Sequence, residues 1–378
     1  MRIKIKALDT LFFRDGKPFS MGEETWADGI FPPPPSVFYG ALRTLYFSEN
    51  PDKIGLANTK EDPTKNLKIK GIYFYFNNAL HFINPKDSVV NVDEEDEYHI
   101  LNLKKQDFIT SNSLPYQVVI PEENLVVEDV EGFIKQDSFR RYIEHGKNVF
   151  KVLPFSDYIK NEPKVGIGRN KQTNATSEGL LYRVGMQRLS YRDTALDVYE
   201  TESASKHLYF VVDFEDLNID TNNGFLKLGG EGKTVYFQTF GDALDVPQFI
   251  DTNSKIFKLY LLTPAIFQNG WLPSWIQLDK EKNEYCGEFE HAEDKEKIKV
   301  KLLTAFIGKP IGIGGFDMQK KEPKPLRKAI PTGSVYYFEV ENEKDISRIN
   351  QAFQLKSISD FCQNEGFGIS IVSKPNLG

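Results

Sequence analysis

Three glycine-rich stretches are the places where this chain could bring backbone N–H groups against a phosphate. Residues 229–234 (GGEGKT) end like a nucleotide-binding P-loop, but that loop requires a glycine at position 227, where Lys227 stands. The phosphate cradle lacks its first turn, and the stretch reads as a hairpin turn. Residues 166–171 (GIGRNK) and 312–317 (GIGGFD) begin like a dinucleotide fingerprint, yet Lys171 and Asp317 occupy the third glycine position. Neither leads from a strand into a helix, which argues against a Rossmann site. What remains is flexible backbone at Gly312, Gly314 and Gly315, set beside cations. Residues 160–192 carry seven Lys/Arg against Glu162 and Glu178, net +5, and residues 320–328 carry five against Glu322, net +4.

Other chemistries find little support. His81, His99, His145, His207 and His291 form no HExxH pattern and lie near no cysteine, so neither a metal site nor a cofactor is expected. Cys286 and Cys362 make no CxxC pair, which points to a reducing cytoplasm without a disulfide framework. Trp271 and Trp275, around Pro273, read as core packing or an interface patch.

The elements that must position these groups are set by composition. The chain has 378 residues, enough for two to three domains at one per ~150 residues. Its 29 Phe and 17 Tyr against 4 Met favour strands over helical bundles. No apolar run approaches the ~20 residues needed to span a bilayer, and no membrane partner is expected. The start, MRIKIKALD, alternates and lacks the apolar core of a signal peptide. The net charge of −7 argues against a polyanionic partner only until it is divided. Residues 87–131 alone carry net −10, which leaves +3 for the rest. Local fields decide what binds where.

Residues 2–7 read as a half-buried strand. After a long loop and the prolines at 32–35, the spacing of Val37, Ala41, Leu45 and of Phe38, Leu42, Tyr46 predicts a helix with Ser36 as N-cap. Strands are expected near 69–76, 208–214, 235–240, 256–262, 298–306, 335–340 and 367–372. Short helices are expected at 138–145 and from Ile346 to Phe353, the latter capped by Asn342. Residues 84–135 read as an irregular acidic insertion with short strand candidates at 98–103 and 116–120, and 165–190 as a hairpin around a polar tip. The fold class is α+β, with two ferredoxin-like halves. The first, 1–220, holds the insertion and the hairpin; the second, 221–378, holds the glycine-rich loop 311–316.

Five segments together carry a family resemblance: 11–19 (LFFRDGKPF), 31–44 (FPPPPSVFYGALRT), 165–184 (VGIGRNKQTNATSEGLLYRV), 314–339 (GGFDMQKKEPKPLRKAIPTGSVYYFE) and 366–372 (GFGISIV). In this order they resemble the third subunit of the Cmr complex, the type III-B CRISPR effector, within the RAMP superfamily. The likeness covers nearly the whole chain except 84–135. It implies two RRM-related ferredoxin-like halves and a non-catalytic subunit of an antiviral ribonucleoprotein. That subunit grips the 5′ handle of the CRISPR RNA and contacts the large polymerase-like subunit and a backbone RAMP subunit.

The residues suit that implied role. Ser36, Tyr39 and Arg43 share one helix face, and a helix start favours phosphate. Arg169, Asn170 and Lys171 at a hairpin tip, with Arg183 on its return strand, could wedge into a single strand. Lys320, Lys321, Lys324, Arg327 and Lys328 would track a backbone behind Gly312, Gly314 and Gly315. The alternative is a metal-independent CRISPR RNA-processing endoribonuclease, which needs a histidine or lysine near a tyrosine at a ribose 2′-hydroxyl. Tyr39 and Tyr46 are available, but no histidine precedes His81. A protein scaffold without RNA contact is a third reading.

Overall fold

A computed structural model describes the chain except residues 17–25, 28, 92–97, 107–113, 121–125, 146–150, 170–171, 174, 192–205, 243, 250–253, 291–295, 318–320 and 378. It is α+β and rich in strands, as the aromatic excess demands. The first part runs β1 (Arg2–Ala7), α1 (Pro35–Glu49), β2 (Lys68–Phe76), β3 (Ala79–Ile83), β4 (Gly132–Lys135), α2 (Gln136–His145) and β5 (Val152–Pro154). The long hairpin β6 (Ile159–Arg169) and β7 (Thr176–Tyr191) follows, then β8 (Tyr209–Glu215), β9 (Asn223–Lys227) and β10 (Thr234–Thr239). Eight of these strands form one sheet in the order β5–β4–β3–β2–β8–β1–β10–β9. Ile3 and Ile5 alternate with Lys4 and Lys6, so one face of β1 turns to a core with Phe38, Leu42, Phe74, Phe210 and Phe237 beneath α1.

The second sheet is built from β11 (Ile256–Leu261), β12 (Ile276–Asp279), β13 (Glu284–Glu290), β14 (Lys297–Phe306), β17 (Val335–Val340) and β18 (Ile369–Ser373), in the order β12–β13–β14–β17–β11–β18, with Lys356–Ser357 at its edge. Helix α3 (Ile346–Phe353) covers one face through Ile346, Ile349 and Phe353. Between β14 and β17 stand two short strands, β15 (Ile311–Ile313) and β16 (Arg327–Ala329), paired with each other.

Three expectations are corrected. The division at 220/221 falls inside the first sheet, because β9 and β10 complete it through the pairing of β10 with β1. The turn joining them is 229–232, the P-loop imitation, with Gly229 and Gly232 at φ 78° and 64°. Helix α1 starts two residues earlier than a cap at Ser36 implies. Pro35 takes its first position, where a missing N–H costs nothing, and Pro34 precedes it with no side-chain cap; Ser36 lies inside the first turn. Asn342 caps only a short 3₁₀ turn, while Asp345 precedes α3.

Residues 84–135 hold strands at the expected 98–103 and 116–120 and are more deeply integrated than an insertion. Strands Ser88–Asn91, Tyr98–Ile100, Val127–Glu128 and the pair Asn102–Lys105 with Tyr116–Val119 occupy part of it, and β4 joins the first sheet. Tyr98, Ile100 and Leu103 enter a single core with Tyr73 and Val211 of the first sheet and Tyr260 and Tyr337 of the second. Asp87 is fully buried at the meeting point. It accepts hydrogen bonds from Lys258 Nζ (2.9 Å) and from the Tyr142 and Tyr337 hydroxyls (2.8 and 2.5 Å).

His81 in β3 is 2% exposed and stacks on Phe76 at 3.6 Å between centroids. Burial, with Lys135 nearby, lowers its pKa from 6.5 to about 4. A folded pKa below the unfolded one gives stability that is complete above pH 6.5 and lost as pH falls toward 4. The difference corresponds to about 3 kcal/mol. Acid titration of thermal stability should therefore fall in that window. His81→Phe, which keeps the stack, should flatten it; an unchanged profile would assign the loss to carboxylates.

Candidate nucleic-acid interface

The glycine-rich loop and the basic strand are two arms of one hairpin. Gly312 pairs with Lys328 and Ile313 with Arg327, and after a break Phe316 pairs with Pro323 and Asp317 with Glu322. Between the two ladders, the Lys324 N–H donates to the Gly315 carbonyl at 2.9 Å. Gly315 has φ 151°, a backbone conformation that favours glycine, and the Lys324 stem lies against it. The hairpin is rooted in the second sheet's end by reciprocal bonds between Ala265 and Ile330, and by a small core of Ile266, Ile313, Ala329 and Phe367. Its outer residues Lys321, Lys324 and Lys328 are exposed.

Arg327 lies over the Phe361 ring, 3.8 Å from its centroid. A guanidinium stacked this way keeps its edge N–H groups available while its orientation is fixed. Phe361 begins a tight segment in which Cys362 and Gly366 adopt φ 57° and 93°. Burial first, and then Glu365, push the Cys362 thiol up, so it is not a poised nucleophile. The same segment touches the first helix: a Cβ on Gly366 would meet Ile69 at 2.8 Å and Pro35 at 3.4 Å. The basic hairpin and the start of α1, nearly three hundred residues apart in sequence, are thus joined through 361–366.

The N-terminal loop supplies a second link. Leu11 exchanges backbone bonds with Gln187 of β7, and the Gly16 N–H donates to the Gly312 carbonyl at 3.1 Å. A Cβ on Gly16 would lie 2.3 Å from the Leu326 side chain and 3.0 Å from the Gly312 carbonyl, so the approach requires glycine. Gly230 N–H holds the Phe12 carbonyl, which gives the GGEGK turn a structural role.

The expected contact residues divide. Ser36 and Tyr39 are half-buried on α1, and burial raises the Tyr39 hydroxyl's pKa. Arg43 turns inward. Its donors go to Asp62 (2.6 Å), Thr64 (2.8 Å) and Asn58 (2.9 Å), so it ties down the 58–64 loop instead of presenting a free cation. On the long hairpin the charges near the base are neutralised: Arg188 by Glu162 and Asp9, Lys164 by Glu231. Toward the tip Arg169 ends β6, and exposed Arg183 on β7 sits opposite Val165. Asn170, Lys171 and Lys320 lie outside the described residues. Gly16, Phe361 and Gly366 were not singled out from sequence; the segments LFFRDGKPF and GFGISIV carried a signal for the two glycines, and nothing local marked Phe361.

Two solved structures share this fold. Both are of a type III-B Cmr-beta complex bound to cognate target RNA, one of them also with AMPPnP. A chain of the first is 17% identical, with TM-score 0.51, over 89% of this chain and 86% of that one. The second gives 16%, 0.50, 93% and 89%. No curated protein matches the chain in sequence. The fold is thus that of a CRISPR effector-complex chain. The family profile described as CRISPR-associated protein (Cas_Cmr3) matches residues 3–370, and the chain belongs to this family. No helix among the described residues is long and apolar enough to cross a membrane.

Proposed function

We propose that this chain is a non-catalytic subunit of a type III-B CRISPR effector complex, holding the 5′ handle of the CRISPR RNA and joining the large polymerase-like subunit to a backbone RAMP subunit. Family membership supports the assembly. The observation that carries RNA gripping is the rooted hairpin 311–329, which aligns Lys324, Arg327 and Lys328 on a support tied to Gly16 and, through 361–366, to the start of α1. Each half is read as a ferredoxin-like unit that has kept one helix. The orders β2–β8–β1–β10 and β14–β17–β11–β18 both run second, third, first, fourth. The first half keeps α1 after its first strand, and the second keeps α3 before its last.

The purified chain should bind RNA bearing the natural handle about tenfold more tightly than a scrambled RNA of equal length, the order of one base contact or stacked base. Arg169→Ala/Asn170→Ala should reduce that preference to about twofold. The labelled RNA should stay intact over hours with and without EDTA. Cleavage would reinstate the endoribonuclease reading, and absence of any binding would leave only a scaffold.

A further inference from the structure

The face of the first sheet turned away from α1 carries a row that the hairpin site does not use. Residues opposite one another on adjacent strands project from the same face. Phe225 pairs with Tyr236, Tyr236 with Lys6, Lys6 with Tyr209, and Tyr209 with Tyr75. Four aromatic side chains and one lysine therefore line up across β9, β10, β1, β8 and β2, over about 19 Å at the usual strand spacing. Phe225 is 65% exposed and the others half-buried. Lys4, on the neighbouring row, sits among rings, 4.9 Å from the centroid of Tyr209 and 5.3 Å from that of Tyr75. Among the described residues no carboxylate lies within ion-pair distance of Lys4 or Lys6, while Arg2 at the far end meets Asp213 at 3.7 Å. Lys227 extends the positive edge on β9.

The second sheet shows what an idle polar face looks like in this molecule. There Glu284 meets Lys301 at 2.6 Å, Glu288 meets Lys297 at 2.5 Å, and Lys299 reaches Glu341 at 4.0 Å. Among the described residues these three pairs cancel charge, and outward glutamates and lysines stand in place of an aromatic row. The first sheet instead combines uncancelled lysines with one exposed and three half-buried rings. Rings accept any base by stacking, and ammonium groups between them suit the phosphates that link successive bases.

We propose that this face is a stacking platform for single-stranded RNA, separate from the basic hairpin, with Phe225, Tyr236 and Tyr209 receiving two or three bases and Lys6 the intervening phosphate. It does not rest on the handle assignment.

The test is fluorescence anisotropy of the full chain with a 5′-labelled 12-nucleotide oligouridylate, in the Lys324→Ala/Arg327→Ala background as well as in the wild type. Phe225→Ala/Tyr236→Ala should weaken binding at least tenfold in both backgrounds, given that a stacked base is worth about 1–3 kcal/mol. Tyr236→Phe, which keeps the ring, should stay within twofold. Phe225→Ala alone removes an exposed ring and should leave the melting temperature unchanged while weakening binding at least about fivefold. Unchanged affinity in the double variant overturns the proposal, as does equal binding of a 12-base-pair RNA duplex. Unchanged RNA affinity with failed incorporation into a protein assembly would make the row a protein-docking face, and would also overturn it.

Discussion

Asp87→Ala should destabilise the chain by about 3–5 kcal/mol, the range for removing one partner of a buried ion pair. Asp87 and Lys258 are both completely buried, 2.9 Å apart. Removal of the carboxylate strands an ammonium that burial already disfavours, since burial lowers the Lys258 pKa against the opposing pull of Asp87. It also leaves the Tyr142 and Tyr337 hydroxyls without their acceptor. The Tyr142 ring, 3.8 Å from Lys258 Nζ, supplies only part of the lost stabilisation. Asp87→Asn keeps an acceptor but not the charge and should fall between. The double variant Asp87→Asn/Lys258→Met removes both charges and should recover at least half of the Asp87→Ala loss. Urea denaturation of the wild type, these three variants and Lys258→Met alone checks this. Additive losses would mean that the two groups act independently, against the geometry.

That cluster shows which parts of the fold could be read locally and which could not. Val335–Val340 is apolar enough to identify itself, as is the alternation in β1. Asp87 carried no such mark. It begins a segment of net −10, and only Lys258, 171 residues later, makes its burial possible. The same limit hid the integration of 84–135 into the core and the membership of β9 and β10 in the first sheet, because sheet order is a long-range property. The candidate site was legible as composition, glycines beside cations, but not as pairing. β15 and β16 are three residues each, and Pro323 and Pro325 break any alternation between them. Helix spacing placed Arg43 with Tyr39, whose ring lies 5.9 Å from its guanidinium, but gave no sign that Asp62 on a following loop would take its donors.

Lys324→Ala/Arg327→Ala should weaken every RNA alike and lower its salt dependence. Each phosphate contact on a single strand contributes about 0.7 to the slope of log affinity against log salt, so two lost contacts should reduce it by about 1.4. Between 50 and 200 mM salt the wild-type advantage should then shrink by about sevenfold. The geometry separates the two residues. Lys324 is exposed, its stem laid across Gly315, and acts as a point charge. Arg327 is held by Phe361. Phe361→Leu should therefore leave the charge but free its orientation, weakening binding less than Arg327→Ala and keeping the wild-type slope. Titrations at four salt concentrations with handle-bearing and scrambled RNA decide the matter. An unchanged slope in the double variant would make the hairpin a solvated surface. A loss confined to handle-bearing RNA would make the hairpin a reader of sequence through the oriented Arg327 guanidinium, and would overturn backbone gripping.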